Sequence, residues 1–384
     1  MQPRDNRDRR PDRIPVLVIA GFLGAGKTTF LNKLVGQPAL QKAMVIVNEF
    51  GDEAFDGLFL QEAANAGDGI IIEELTSGCL CCTLQGPLVQ TLEDLLRARD
   101  NGRIAPFEVL IIETTGLAEP EKILGAFANH PYLKLRYLVG GIVTVADAAQ
   151  GTASESEHPE VPRQIAVADV LAVSKSDLVE KEALSAFETD LRQLNPVARI
   201  SPVQDLIDNA GWINPLLAQA SIAVSLSPAE HENVRSHGNE KQSSREHAHA
   251  HEHTHGHAHG HDHAHAHDHA HDHHGSIVLT SMEPMSEQTV SMFMDLLGMN
   301  LPGELLRVKG IVWISTSTDR PRPWAVHAAG TLQHPLRPLD SSLAEVMGEP
   351  SNRIVVITKT DQSTRIRELF DACLRHQEIN QPAA

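Results

Sequence analysis

Apolar, β-branched runs alternate with helix-like segments along the first half of the chain. The runs are IPVLVIAG (14–21), AMVIVNEF (43–50), FEVLIIETTG (107–116), GGIVTVADA (140–148) and ADVLAVSKSD (168–177). Nearly continuous apolar runs are typical of strands that are buried on both faces of a sheet. Helix-like segments separate them, such as TTFLNKLVGQ (28–37) and LVQTLEDLLRARD (88–100). We therefore predict an α/β domain with a mainly parallel, doubly wound sheet.

A different pattern begins at Gly275. Four runs predict further strands: GSIVLTSME (275–283), GELLRVKGIVWIS (303–315), RPWAVHAAG (322–330) and NRIVVITK (352–359). A predicted helix over 286–299 has one apolar face, formed by Val290, Phe293, Met294 and Leu297, and a last helix covers about 363–378. These elements predict a small α+β domain with an antiparallel sheet, and we find no catalytic constellation in it.

Histidine occupies nearly every second position from His247 to His274, 15 of 28 residues, with small or acidic residues between. Such a segment has nothing apolar to bury, so we predict that it belongs to a disordered linker. The predicted organisation is a disordered N-terminus (1–13), an N-terminal domain (14–226), the linker (227–275) and a C-terminal domain (276–384).

The histidine tract is also a candidate metal-binding segment. Imidazoles with a pKa near ~6.5 are mostly neutral at pH 7 and coordinate Zn²⁺, Ni²⁺, Co²⁺ or Cu²⁺ in many interchangeable geometries. An incidental spacer is the alternative interpretation. The predicted weak ligands include His247, His249, His251, His253, His255, His257, His259 and His261.

Composition and charge exclude several classes of partner. The 384 residues are 41% hydrophobic, which suffices for a substantial core. The formal charge of -18 opposes binding to nucleic acid phosphates or anionic lipid, so we expect neither a nucleic acid nor a membrane partner. The charged N-terminal run has no apolar core behind it, and no run of eighteen apolar residues occurs. We therefore expect a cytoplasmic protein; its oligomeric state stays open.

The first apolar run leads directly into GFLGAGKTT (21–29), a glycine, four residues, and then glycine, lysine and threonine. In such a loop the glycines let backbone N–H groups close around phosphate oxygens. The lysine reaches the β and γ phosphates, and the threonine hydroxyl binds Mg²⁺. The predicted nucleotide-binding residues here are Gly21, Gly24, Ala25, Gly26, Lys27, Thr28 and Thr29.

A second candidate element is IIETTG, an apolar strand that ends in Glu113. A carboxylate at that strand end can hold Mg²⁺ or its water, and Gly116 can offer its N–H to the γ-phosphate when the loop closes. Lys27, Thr28 and Glu113 are therefore the predicted catalytic residues.

SKSD (174–177) follows another apolar strand and is similar to the Asn-Lys-x-Asp pattern of GTPases. In that pattern the carboxylate pairs with guanine N–H groups, and the lysine stem covers the base. Lys175 and Asp177 take these roles here. Ser174 replaces the asparagine, which weakens base recognition, so GTP remains favoured and ATP is the competitor.

NEFGD (48–52) follows the second strand, where switch I elements lie in such enzymes. Glu49 and Asp52 have three open interpretations: ligands of Mg²⁺, ligands of a transferred metal, or solvated side chains.

Taken in order, GFLGAGKTT, VNEFGD, SGCLCCT, IETTGLAEP, SKSD and LLRVKGIVWIS resemble the CobW-type GTPases over about residues 14–376. This is a metal-handling branch of P-loop GTPases related to the nickel-inserting GTPases of urease and hydrogenase maturation. The resemblance implies a P-loop GTPase domain followed by a CobW-type C-terminal domain. It also implies a GTP-dependent metallochaperone or insertase, for zinc in many members and for cobalt or iron in others.

Three of the four cysteines lie within TSGCLCCT (76–83). A disulfide is a poor explanation for them, because Cys81 and Cys82 are adjacent and could bridge only with strained geometry. Thiolates suit Zn²⁺, Co²⁺ or Cu⁺, and three protein ligands leave a fourth position open for a metal that must leave again. We predict a metal site at Cys79, Cys81 and Cys82, with Glu49 as a further candidate; Cys373 is interpreted as a core residue.

The functional prediction is a GTPase that uses GTP and Mg²⁺ and delivers Zn²⁺ or Co²⁺ to a client metalloprotein or to a cobalamin pathway. A first alternative is a metal buffer that stores ions on the histidine tract, with nucleotide binding only regulatory. A second is a small-molecule kinase built on the phosphate loop.

Overall fold

The structure, a computed structural model, describes residues 13–47, 71–74, 85–151, 158–218, 275–316, 319–339 and 351–380. The predicted N-terminal tail and linker therefore lie outside the described residues, except for Arg13 and Gly275. Within the described part of the chain, no helix has the length and apolar character needed to cross a membrane.

The N-terminal domain is built on a seven-stranded sheet with the order β3-β2-β4-β1-β5-β6-β7, and every neighbouring pair is parallel. This confirms the predicted fold class. The strands are β1 (Ile14–Gly21), β2 (Ala43–Val47), β3 (Ile71–Glu74), β4 (Val109–Glu113), β5 (Tyr137–Asp147), β6 (Val170–Ser174) and β7 (Arg199–Pro202).

Helices cover both faces of this sheet. Leu17 and Ile111 point into one apolar cluster with Phe30 of the first helix, whereas Val18 and Ile112 point into the opposite cluster. This alternation follows from the two-residue period of a strand and explains why the runs are apolar at nearly every position. The helices of this domain are α1 (Lys27–Val35), α2 (Gln85–Asp100), α3 (Pro120–Asn129), α4 (Pro131–Arg136), α5 (Glu160–Ala166), α6 (Lys181–Leu194), α7 (Val203–Asp208) and α8 (Ile213–Leu217).

The C-terminal domain contains an antiparallel sheet with the order β11-β10-β9-β13-β8, and β12 pairs with β10. Its predicted apolar helix face is confirmed, because Val290, Phe293, Met294 and Leu297 are all buried. Cys373 is also buried, as predicted for a core residue. The elements are β8 (Gly275–Ser281), α9 (Glu287–Asn300), β9 (Leu305–Thr316), β10 (Asp319–Ala329), β11 (Leu332–Gln333), β12 (Arg337–Pro338), β13 (Asn352–Thr358) and α10 (Ser363–Asn380).

The two sheets share one apolar cluster. Leu306 and Val355 of the C-terminal domain belong to the same group of buried residues as Val167 and Val197 of the N-terminal domain. Burial of apolar area is the main favourable contribution to such contacts, so this cluster holds the two domains together.

A buried ionic cluster lies inside this contact. Arg307 pairs with Asp169, and the Lys309 Nζ lies 3.6 Å from the same Asp169 Oδ1. The second oxygen, Asp169 Oδ2, accepts from the Ile142 N–H at 3.0 Å. Arg307 also donates to the Val167 carbonyl at 2.9 Å and Lys309 to the Val197 carbonyl at 3.3 Å. One carboxylate therefore serves two cations of the other domain.

Two histidines stack beside this cluster, with the ring centroids of His327 and His334 4.4 Å apart. Burial and then the Arg307 charge lower the pKa of both imidazoles, that of His334 to about 4. Both rings are therefore neutral at pH 7; His327 is buried, and His334 is partly exposed.

Candidate nucleotide and magnesium site

The predicted phosphate loop connects β1 to α1. Gly24 and Gly26 have φ angles of +72° and +91°, in the left-handed region that glycine adopts without the Cβ clash of other residues. The Ala25 N–H donates to the Phe22 carbonyl at 3.2 Å, which closes the turn. The strand, loop and helix thus follow in the order that phosphate binding requires.

Lys27 and Thr28 open the helix and point toward the end of β4. The Lys27 ammonium donates to the Phe22 carbonyl at 3.0 Å. Burial lowers the pKa of Lys27, and the charge of Glu113 opposes that shift. The Thr28 hydroxyl donates to Glu113 Oε1 at 2.6 Å, across 85 residues of sequence. The three predicted catalytic residues therefore lie together.

Strand register explains why Glu113 reaches this place. Glu113 ends β4 and lies opposite Ile19 of β1 on one side and Val47 of β2 on the other. Carboxyl ends of parallel strands meet at one edge of the sheet, so the residues that follow these strands share that edge. A hydroxyl and a carboxylate are hard oxygen donors, and this pair fits Mg²⁺, which binds few protein oxygens alongside phosphates.

Gly116 lies directly against the phosphate loop. A Cβ atom at this position would stand 2.4 Å from the Leu23 backbone nitrogen, closer than any side chain tolerates. Only glycine therefore allows the loop after β4 to approach the phosphate loop this closely. This contact brings Gly116 against the phosphate loop.

The SKSD segment is tied to the phosphate loop by Ser174. Its hydroxyl donates to the Ala25 carbonyl at 2.8 Å. Lys175 adopts a left-handed conformation with φ +54°, and its Nζ lies 2.6 Å from Asp147 Oδ2. Asp177 follows in a short 3₁₀ turn and is exposed. The serine therefore provides a direct link between the two segments.

Two residues of this region were not singled out from sequence. Asp147 ends β5, holds Lys175, and accepts from the Ala149 and Gln150 N–H groups at 2.9 and 3.3 Å. The sequence contains a pattern that could have identified Asp147, because an acidic residue ends an otherwise apolar strand at the same sheet edge. Gln164 contacts the Gly116 loop. It lies inside an ordinary helix, and no sequence pattern distinguishes it as a functional residue.

The predicted transition-metal residues lie outside the described residues. This applies to Cys79, Cys81 and Cys82, to Glu49 and Asp52, and to the histidine tract. Among the residues that the structure does describe, no group of three or more His, Cys, Asp or Glu side chains could hold a metal ion. The flanks of the cysteine segment are described: β3 ends at Glu74, opposite Val47, and α2 begins at Gln85.

The parallel sheet, the phosphate loop and the Thr28–Glu113 pair define a P-loop nucleotide-binding protein. The family described as CobW/HypB/UreG, nucleotide-binding domain, matches residues 15–202. The cobalamin synthesis protein cobW C-terminal domain matches residues 274–374. These two matches together cover more than half of the chain, which belongs to the CobW family.

Curated relatives match about half of the chain at moderate identity. The zinc chaperone YjiA of Escherichia coli is 36% identical over 165 residues, which are 43% of this chain and 50% of that protein. The zinc-regulated GTPase metalloprotein activator 1 of Schizosaccharomyces pombe is 33% identical over 199 residues, 51% of this chain and 47% of that protein. The chain thus spans about half the length of these curated relatives.

The whole architecture recurs in a solved structure. The crystal structure of Zn(II)-bound YjiA GTPase from E. coli superimposes with a TM-score of 0.59 and 25% identity, over 94% of this chain and 99% of that chain. The similarity therefore includes the antiparallel C-terminal sheet as well as the nucleotide-binding domain.

Proposed function

We propose that this protein hydrolyses GTP and couples that cycle to the delivery of a transition metal, with zinc ahead of cobalt, to a client metalloprotein. The observation that carries the proposal is the alignment of Glu74, Val47 and Glu113 at one sheet edge. Two strand spacings, roughly 10 Å, separate the backbone of Glu74 from that of Glu113. The strands that precede the Glu49 segment and the cysteine segment, β2 and β3, therefore end at the same sheet edge as Glu113.

The nucleotide roles follow from the positions of the described residues. Lys27 stabilises phosphoryl charge, and its partial burial strengthens that interaction because water screens it less. Thr28 and Glu113 would hold Mg²⁺, and the ion would supply positive charge that offsets the negative charge of the phosphates. Gly116 lies against the phosphate loop and reports the presence of the γ-phosphate.

Guanine selection rests on the segment that Ser174 ties to the phosphate loop. In this segment Lys175 adopts a left-handed conformation, and its ammonium donates to Asp147. The turn that follows presents the exposed carboxylate of Asp177. A carboxylate accepts two N–H groups from guanine, whereas adenine does not offer that pair of donors. We therefore propose GTP as the preferred nucleotide over ATP.

The metal role rests on residue chemistry and on the relatives. Three thiolates from Cys79, Cys81 and Cys82 suit Zn²⁺ or Co²⁺, and an incomplete ligand set favours release. The similar proteins named above carry zinc in their descriptions. Because β3, which precedes the cysteine segment, ends at the same sheet edge as Glu113, we propose that the γ-phosphate changes the metal affinity. The metal then changes the GTP affinity by the same factor.

The test is a Co²⁺ titration that follows thiolate charge-transfer absorbance. It uses protein lacking residues 247–274, so that the histidines do not mask the site, with Mg²⁺ and a non-hydrolysable GTP analogue, with Mg²⁺ and GDP, or without nucleotide. We expect the tightest Co²⁺ binding with the GTP analogue, by about 5- to 150-fold over GDP. In a separate experiment on protein that retains residues 247–274, Lys27→Ala should abolish GTP hydrolysis and leave metal binding to the histidine tract intact.

Equal Co²⁺ affinity in all three nucleotide states would contradict nucleotide-gated delivery. Absorbance that survives Cys81→Ser together with Cys82→Ser would contradict the thiolate site. Client activation that requires residues 247–274 at limiting metal would instead favour storage on the histidine tract, and a phosphorylated acceptor as product would favour a kinase.

A further inference from the structure

Gln164 makes an unusual pair of contacts for a residue in the middle of a short helix. It lies in α5, and its side chain is 1% exposed. Its amide nitrogen donates to the Gly116 carbonyl at 3.0 Å and to the Ala118 carbonyl at 2.9 Å. A side-chain amide has two N–H donors, and here both are directed at one short loop.

The loop that Gln164 holds is the one that follows Glu113. The Thr114 N–H still donates to the Ile19 carbonyl at 2.9 Å, so the sheet ladder continues for one residue beyond β4. The chain then passes Gly116, which touches the Leu23 backbone, and enters α3 at Pro120. Hydrogen bonds from Gln164 fix the carbonyls of both Gly116 and Ala118, so they restrict backbone rotation between these two residues.

The helix that carries Gln164 is itself fixed at several points. The Thr144 hydroxyl of β5 donates to the Gln164 carbonyl at 2.7 Å. The Asn195 amide donates to the Ile165 and Ala166 carbonyls at 2.8 and 3.1 Å. Immediately after the helix, the Val167 carbonyl accepts from Arg307 of the C-terminal domain, so α5 joins the C-terminal sheet to the loop.

A second contact joins the same two elements. Arg163, next to Gln164, places its Nη1 3.4 Å from Glu119 Oε1. This pair is only partly buried, and water screens its charges, so its contribution is small. Of these two contacts between α5 and the loop, the buried amide of Gln164 is therefore the stronger.

We propose, on the basis of the GTP cycle proposed above, that Gln164 is a positioning residue that keeps the Gly116 loop in place for the γ-phosphate. GDP has no γ-phosphate and does not use this loop. Loss of the amide therefore weakens GTP binding and slows hydrolysis, whereas GDP binding is retained.

The experiment compares Gln164→Met with the unmodified full-length chain. Methionine has similar length and volume but donates no hydrogen bond. Affinities for GDP and for a non-hydrolysable GTP analogue are measured by displacement of a fluorescent nucleotide in Mg²⁺, and kcat and KM for GTP follow. Because two hydrogen bonds are lost, we expect the analogue affinity to fall about tenfold, with GDP affinity within about twofold.

Two further variants separate positioning from general loosening of the helix. Thr144→Val removes the hydrogen bond to the Gln164 backbone, leaves the amide in place, and should change both affinities to the same small extent. Gln164→Asn keeps an amide on a shorter side chain, so it should give an intermediate loss for the analogue. Gln164→Asn also replaces Gln164→Met in the affinity comparison if the methionine variant folds poorly.

Equal losses for GDP and the analogue, or no loss for either, would overturn the positioning role. Unmodified protein that binds both nucleotides without hydrolysing GTP would contradict the proposed function. In that case the ratio of the two affinities still decides the role of Gln164.

Discussion

Replacing Asp169 with asparagine should break the ionic cluster between the two domains. The Asp169 side chain is 3% exposed, and those of Arg307 and Lys309 are each 1% exposed. The substitution removes the only negative charge of this trio and leaves two buried cations near each other. Asparagine also has one acceptor oxygen, which can serve Arg307 or the Ile142 N–H but not both.

The expected cost follows from that burial. Removing one partner of a buried ion pair costs about 3 to 5 kcal/mol, because the remaining charge has lost its compensation. Folded domains are stable by about 5 to 15 kcal/mol, so the loss is a large part of the total. The domain contact should weaken first, because the cluster joins β9 to the residues that precede β6.

Urea unfolding followed by tryptophan fluorescence measures this loss, since Trp212 reports on the N-terminal domain and Trp313 and Trp324 on the C-terminal domain. A matched control is Asp94→Asn, which removes a carboxylate that pairs with Arg97 on the surface, where both side chains are 58% exposed. The control should cost less than about 1 kcal/mol. A loss for Asp169→Asn no larger than that of the control would refute the reasoning.

Two further predictions concern Lys309 in the ionic cluster and Ser174 beside the phosphate loop. Burial lowers the pKa of Lys309 to about 8 from 10.5, so the unfolded chain binds more protons between these pH values and wild-type stability rises with pH there. Lys309→Met should therefore be more stable at pH 7 by roughly 1 to 3 kcal/mol in urea unfolding, with the gain shrinking toward pH 10; a constant gain would contradict this. Ser174→Ala loses the bond to the Ala25 carbonyl and should weaken GDP and GTP binding alike by about three- to tenfold. Ser176→Ala is its matched control in the same fluorescent-nucleotide assay, and equal effects of both serines would contradict the prediction.

Local signals in the sequence account for the parallel sheet and the phosphate loop. Strands buried on both faces must be apolar at nearly every position, so β1, β4 and β6 could be predicted from their composition. The loop from Gly21 to Thr28 follows from a spacing that phosphate chemistry requires. These features depend on residues that are close together along the chain, and a single sequence records them directly.

Only the tertiary structure brought together residues that are far apart in sequence. Thr28 meets Glu113, and Ser174 meets the phosphate loop, because parallel strands end at one sheet edge in an order that differs from their order along the chain. Gln164 lies in an ordinary helix, and its contact with the Gly116 loop depends on how that helix packs. The pairing of Asp169 with Arg307 required the second domain to dock, and no local pattern encodes that long-range contact.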